Sequence, residues 1–291
     1  MFLKLVDFSR LEKRYIRILI LVWNIKHFLF FYKSLPDNDY INEFKKNREN
    51  VTKCLGFYLS REFTTSEKFK ILKYHHLFMC ANYSNEFLNS LNGKGLCIWQ
   101  KETELDNQSI IISNSLKKKV YGEGELVLEY KFNGLLLFTL VFTLIPSYIF
   151  GKSFSDCFFI SCSQGNKNVR EQWKQATKLN YRISPDDILI VAIQAWSYKN
   201  DIKKIIGINS EKQVSGFIHN YQNDYSLTYE KLWINNGAIQ QDGFFVIPNS
   251  PQAKDKNLKN NYRSREKKQH LIRMEIFDQI LENIDYHSKK S

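Results

Sequence analysis

The most constraining stretch of this sequence runs from Leu126 to Pro146. It opens with the β-prone string Leu126-Val127-Leu128-Glu129-Tyr130-Lys131. Asn133-Gly134 follows, and then an unbroken apolar run, Leu135–Ile145. An Asn-Gly pair between such segments predicts a tight hairpin, because a type I′ turn needs positive φ at both central positions. The apolar run is too short to cross a bilayer as a helix, which takes about 20 residues. The expectation is therefore a hairpin turning over 131–135 and a buried central strand ended by Pro146.

The rest of the chain organises around that hairpin. Before it, the first 95 residues carry helical signals and few strand signals. One apolar-periodic helix opens at Ser66-Glu67-Lys68-Phe69 and runs through Leu72, Leu77 and Met79. Asn92-Gly93-Lys94-Gly95 is a turn cluster and a candidate boundary. After it come a short strand candidate, Ser109-Ile110-Ile111-Ile112, the hairpin, and a third strand over 156–163 closed by Gln164-Gly165. A helix is expected over 169–178. A second, Pro185–Lys199, has an explicit start in Ser184-Pro185-Asp186-Asp187: serine caps, proline takes the first position, and Asp187 completes a capping box. That helix is apolar almost all round, so it is expected to be buried. Ile205-Ile206-Gly207-Ile208 reads as the next strand, and strand–helix–strand at this spacing implies a right-handed parallel crossover. A helix over 226–236, a strand over 244–248, a mobile polar loop over 251–265 and a closing helix over 265–284 complete the reading. The predicted fold class is α+β. A helical N-terminal region (1–95) precedes a mixed α/β sheet domain with a C-terminal helix (96–291).

The chain has 291 residues, with 43% hydrophobic and 15% aromatic, enough to build a packed core. Its formal net charge is +12. Such a balance favours nucleic acid, anionic lipid or phosphorylated ligands, or is simply a solvated lysine-rich surface. No recognisable nucleic-acid-binding motif gives it the first meaning. The five cysteines include no CxxC and read as free thiols of a reducing compartment. The six histidines are scattered apart from His75-His76, and no metal site is expected. Walker, HExxH and GxSxG motifs are absent. Residues 10–33 join Arg10, Lys13, Arg14 and Arg17 to Trp23, Phe28 and Phe30. Two readings stand for this segment, a core helix with a basic face or an interfacial helix on an anionic membrane. The uncharged run over 18–25 is too short for a span, and no small-residue cleavage site follows it. The expected location is cytoplasmic, with peripheral contact to the inner membrane under the second reading.

Several motifs then fall in one order. They are Ser66 through His75, Tyr121-Gly122-Glu123-Gly124-Glu125-Leu126, Gln164-Gly165, Ala176-Thr177-Lys178 with Pro185, Asn209, Tyr229-Glu230-Lys231-Leu232-Trp233, Gly237, and Phe244-Phe245-Val246-Ile247-Pro248. As an ordered set they resemble the VirK/YbjX family of bacterial virulence-associated proteins. The chain departs from the family pattern at Arg182-Ile183-Ser184-Pro185-Asp186, where a basic helix entrance becomes partly acidic, and at His76 and Lys212. The resemblance implies contexts of virulence, the bacterial envelope and antimicrobial-peptide resistance, with no reaction attached.

Candidate chemistry concentrates at a few positions. Glu123 and Glu125 lie two apart at the mouth of the hairpin, so on a strand they share a face. Like-charge proximity would raise one pKa and suit a general base; a solvated strand end is the alternative. Gln164-Gly165 lies where ligands bind in open α/β sheets, or is a plain turn. The amides at Ser184 offer an anion site that Lys178 and Arg182 favour and Asp186 and Asp187 oppose. Tyr229 and Trp233 share a helix face, as core or as function. The order of elements is similar to the GCN5-related N-acyltransferase layout. That resemblance implies an acyl-thioester cofactor, coenzyme A or acyl carrier protein, at the splayed core strands. It implies phosphates held by Lys178 and Arg182, with Gln164, Gly165 and Asn209 nearby, a proton taken by Glu123 or Glu125, and one given by Tyr229. The usual Gly-x-Gly/Ala phosphate loop is missing. The alternative function is a non-enzymatic accessory or adaptor for envelope or exported proteins.

Overall fold

The computed structural model describes residue 22 and residues 25–47, 49–56, 58–115, 122–150, 155–214, 226–252 and 260–288. The helices before the sheet are α1 (Ile25–Ser34), α2 (Asp39–Lys46), α3 (Glu49–Thr52), α4 (Thr65–Asn82) and α5 (Asn85–Asn92). The strands are β1 (Leu96–Glu102), β2 (Asn107–Asn114), β3 (Leu126–Phe132), β4 (Leu135–Ile145), β5 (Cys157–Gly165), β6 (Lys204–Gly207), β7 (Ile239–Gln241) and β8 (Phe244–Ile247). Helices α6 (Arg170–Leu179) and α7 (Pro185–Lys199) connect β5 to β6, α8 (Ser226–Asn235) follows β6, and α9 (Asn260–His287) closes the chain.

Asn133 and Gly134 take φ of 50° and 76°, the left-handed pair that an Asn-Gly hairpin requires. The turn fixes β3 against β4, and every residue of β4 from Leu140 to Ile145 is buried. Around this hairpin the described strands form one sheet in the order β1-β2-β3-β4-β5-β6-β8-β7. All neighbours are antiparallel except β5 and β6, which run parallel. The parallel pair follows from the helical crossover, since a short turn can join only antiparallel strands.

Helix α7 has its expected bounds, and its residues from Ile188 to Ser197 are all buried. Trp196 is its anchor. Its ring meets Phe142 edge-on at 5.6 Å, Phe158 at 6.4 Å and Phe87 at 6.0 Å, and its Nε1 donates to the Tyr83 hydroxyl at 2.5 Å. One side chain thus ties the sheet to the N-terminal helices, and a single continuous core includes residues from both. Helix α9 lies on α7 and on β1, where Gln279 accepts from Trp99 Nε1 at 2.8 Å and Asn283 donates to the Ile98 carbonyl at 3.0 Å.

Several local expectations are corrected. Ser184 has the extended backbone of an N-cap, but its side chain makes no capping bond, so no capping box with Asp187 forms. Its hydroxyl turns to Asp186 instead. A complete capping box occurs at Thr64 and Glu67, at the head of α4. Strands β1 and β7 were not expected. Helix α9 begins at Asn260, so the polar stretch expected as a loop is helical in its second half; residues 253–259 lie outside the described residues. Of the segment expected to meet either core or membrane, residues 10–21 and Trp23 lie outside the described residues. Within α1, Phe31 is buried while Phe30 is exposed, with Lys73 Nζ 4.3 Å from its ring centroid. Among the described residues no helix is long and apolar enough to cross a membrane.

Candidate functional site

The site begins where β5 and β6 part. Their pairing covers Cys157–Ile160 against Lys204–Gly207, and the Ile208 amide adds one bond to the Ile160 carbonyl at 2.9 Å. β5 then continues to Gly165 without β6 beside it. At the end of β6, a Cβ on Gly207 would lie 2.7 Å from the Trp233 ring, so only glycine lets that indole pack there. Trp233 Nε1 donates to the Ile208 carbonyl at 3.0 Å and pins α8 against the strand end.

One helical turn earlier on α8, Tyr229 places its hydroxyl in the gap that β6 leaves. It accepts from the Ser163 amide at 3.1 Å and from Gln213 Nε2 at 2.8 Å, and donates toward Cys162 Sγ at 3.8 Å. Burial, then the neighbouring Cys162, push the Tyr229 phenol well above its ordinary pKa, so at neutral pH it holds its proton. Cys162 is raised to about 12, first by burial and then by the Glu123 carboxylate, so it stays a thiol. It is not poised as a nucleophile, which requires the thiolate. Asn209 shapes the approach. Its side chain accepts from the Glu211 amide at 3.0 Å, forming the turn that delivers Gln213 to Tyr229.

The Glu123 carboxylate lies near enough to Cys162 and Tyr229 to raise the pKa of both. β5 carries one extra residue, Ser161, against β4, since Val141 faces Cys162 while Phe142 faces Ile160. Such bulges re-aim side chains beside sites. The Ser161 hydroxyl donates to the Glu123 carbonyl. Gly124 permits the close approach, since a Cβ there would meet Val141 at 2.9 Å and Thr143 at 3.0 Å.

Glu125 sits in a different environment. Lys53 Nζ lies 2.5 Å from its Oε1, the Tyr58 hydroxyl donates to the same oxygen at 2.6 Å, and His76 Nε2 lies 3.3 Å from its Oε2. The Glu125 amide donates to Thr143 Oγ1 at 2.9 Å. Burial alone would raise this carboxyl, but the Lys53 ammonium and the contact with His76 outweigh it and hold it below the usual carboxylate range. His75, beside it, is driven down to about 3 by burial and then by His76, and its Nδ1 accepts from the Leu144 amide at 3.2 Å. Glu125 is an ionised group enclosed by its partners.

Lys178 and Arg182 come together elsewhere. They line a groove of about 690 Å³ with Trp173, Lys174, Thr177, Tyr181, Ser264, Arg265 and Lys268. Gln164 and Gly165 are the last residues of β5 rather than a turn beyond it, opposite Thr139 and Phe138. Phe138 links the two regions, since its ring meets Trp173 edge-on at 5.6 Å. The amides at the start of α7 face acidic company. Asp187 accepts from Asn236 at 2.8 Å and lies 3.8 Å from Arg273, while Asp186 is raised to about 6, first by burial and then by Asp187.

The structure therefore gathers Glu123, Tyr229 and Asn209 at the β5–β6 parting, with Gln164 and Gly165 further along the same strand. It places Lys178 and Arg182 in one groove and sets Glu125 apart. Sequence reasoning did not find Cys162 and Gln213 as partners of Tyr229, nor Lys53, Tyr58 and His76 around Glu125. The adjacent pair His75-His76 was the one visible signal of that buried network. Among the described residues no group of three or more His, Cys, Asp or Glu side chains could hold a metal.

The model of the family described as "Protein of unknown function (DUF535)" matches residues 7–285. The chain belongs to the DUF535 family. This is the VirK/YbjX family that the ordered motifs resemble. The match takes in the parting of β5 and β6, the Glu125 network and the basic groove, so all three lie within the DUF535 region. A comparison with curated proteins found no match.

Proposed function

We propose that this DUF535 protein is an acyltransferase of the GCN5-related kind, moving an acyl group from a thioester donor to an amine of an envelope component or a protein. One observation carries the reading. The parallel pair β5 and β6, flanked by antiparallel pairs among the described strands, parts after Ile160, with a protonated tyrosine from the following helix at the parting. The order β5-β6-β8-β7, with helices between β5 and β6 and between β6 and β7, supports it as an analogy of layout.

In this reading the thioester lies along the edge of β5 that β6 leaves open, near Ser163 to Gly165. Glu123 takes a proton from the attacking amine. The nitrogen bonds to the acyl carbon, the carbon–sulfur bond breaks, and Tyr229 gives its proton to the departing thiolate. The products are an amide and a free thiol. Each proton-transfer role is worth ~10²–10⁴-fold in rate. The acidic start of α7 is unsuited to phosphates, and Lys178 and Arg182 take that part in place of a glycine loop.

A second reading, a non-enzymatic adaptor for envelope or exported proteins, is favoured by the enclosure of Tyr229. The residue is only 5% exposed and its hydroxyl already holds the Ser163 amide and Gln213. An adaptor with peripheral membrane contact would use the basic and aromatic surface instead. Tyr229→Phe and Glu123→Gln separate the two. With the fold intact, loss of the cellular phenotype in both variants supports transfer, and its retention in both supports the adaptor.

A further inference from the structure

We propose that the groove between the end of α6 and the start of α9 binds a nucleotide, through two or more of its phosphates and its aromatic base. Among the described residues five cations line it: Lys174, Lys178 and Arg182 from one side, Arg265 and Lys268 from the other. Among the described residues no carboxylate lines it. Lys174 is paired with Glu171 at 2.8 Å, and no carboxylate pairs with the other four among the described residues. Converging cations of this kind are a recognition device for phosphate oxygens, and arginine adds a planar fork of donors.

The groove also has a built floor. Tyr181 and Arg182 are consecutive non-glycine residues in the left-handed region, with φ of 53° and 71°. This left-handed close ends α6 and fixes both side chains at the groove. Here the Arg182 amide donates to the Thr177 carbonyl at 2.7 Å, and Gln269 Nε2 holds the Tyr181 carbonyl at 2.7 Å. This geometry presents the Tyr181 ring, 47% exposed, beside Arg182, with Lys268 Nζ 3.9 Å from the ring centroid. Lys268 covers one face of the ring, so a base would stack on the opposite face with its phosphates alongside. The groove is open to solvent, and its volume of about 690 Å³ falls in the range of small-molecule sites.

The proposal does not require the transferase reading. The ligand is a free nucleotide or the nucleotide part of a coenzyme, and the experiment distinguishes them. The full-length protein is titrated calorimetrically with ADP, coenzyme A, inorganic pyrophosphate and phosphatidylserine vesicles. Saturable one-site binding of ADP or coenzyme A is expected, weakened at least tenfold by Lys178→Gln combined with Arg182→Gln. Tyr181→Asn, which suits the left-handed backbone, should weaken the nucleotide at least fivefold and leave pyrophosphate within twofold. The tighter of ADP and coenzyme A names the source. Thermal midpoints of the variants verify folding, and Lys268→Gln is a second charge variant should the double variant fail to fold. Absence of saturable nucleotide binding, unchanged affinity in a folded charge variant, or tight vesicle binding that nucleotide does not displace would overturn the assignment. Nucleotide binding without use of any thioester would keep the groove and remove the transferase.

Discussion

The Tyr229 hydroxyl accepts the Ser163 amide at 3.1 Å, on the edge of β5 that β6 has just left. A side chain thus takes the place of a strand at the point where the sheet opens. Tyr229→Phe removes that acceptor and strands the half-buried Ser163 amide and the buried Gln213 donor. The expected cost is about 1–3 kcal/mol in stability, measured by urea unfolding. Any thioester-dependent transfer should fall by ~10²-fold or more.

Lys53 and Glu125 make a buried ion pair with a side-chain exposure of 1% and 2%. Breaking such a pair from one side leaves an uncompensated charge. Lys53→Met or Glu125→Leu alone should each cost about 3–5 kcal/mol, and the double variant less than the sum of the two. Glu123→Gln, which keeps the side chain's size and polarity, should cost less stability than either single variant while lowering transfer by ~10²–10⁴-fold. A large stability loss in Glu123→Gln, with none in Lys53→Met, would reverse the roles given to the two glutamates.

Asp186 gives a pH dependence of definite sign. Its folded pKa, raised to about 6, lies above the ordinary 3.8. The folded state therefore keeps a proton that the unfolded chain has lost, and this contribution to stability fades as pH rises through 6. Asp186→Asn should stabilise the protein at pH 7.5 and bring little or no gain at pH 4. His75 acts in the other direction. With its folded pKa near 3, stability falls as pH drops below 6.5. The difference between wild type and Asp186→Asn at each pH cancels the histidine term.

Gly207 is a test of packing. Alanine there would drive a methyl into the Trp233 ring at 2.7 Å. Gly207→Ala should cost about 1–3 kcal/mol and displace α8, and with it Tyr229. Indole fluorescence should report the change at Trp233.

Much of the fold was legible because it is local. Asn133-Gly134 needs only its own backbone freedom, Leu135–Ile145 its own apolarity, and Pro185–Lys199 its own start signal and all-round hydrophobicity. The misses have physical reasons. β7 is three residues long with two exposed, too short and too wet to show a period. β1 mixes Gln100, Lys101 and Glu102 into its outer half, which hides its apolar pair Ile98 and Trp99. Helix α9 opens in a polar stretch without helical periodicity. At the site, helix spacing gave Tyr229 only a face shared with Trp233, and its candidacy came from the likeness of element order to the acyltransferase layout. The partners of Glu125 were not legible, because Lys53 is 72 positions away in the chain and Tyr58 is 67. Two glutamates two residues apart look equivalent in sequence. Tertiary neighbours alone assign one to a fixed ion pair and bring the other to the gap beside Cys162.

The most direct test of the transferase account is calorimetric titration of the full-length protein with coenzyme A, acyl-coenzyme A and acyl-carrier-protein thioesters. The account predicts saturable binding of at least one acyl thioester, accompanied by release of free thiol when an amine acceptor is supplied. Absence of binding to all of them at millimolar concentration would contradict it and leave the adaptor.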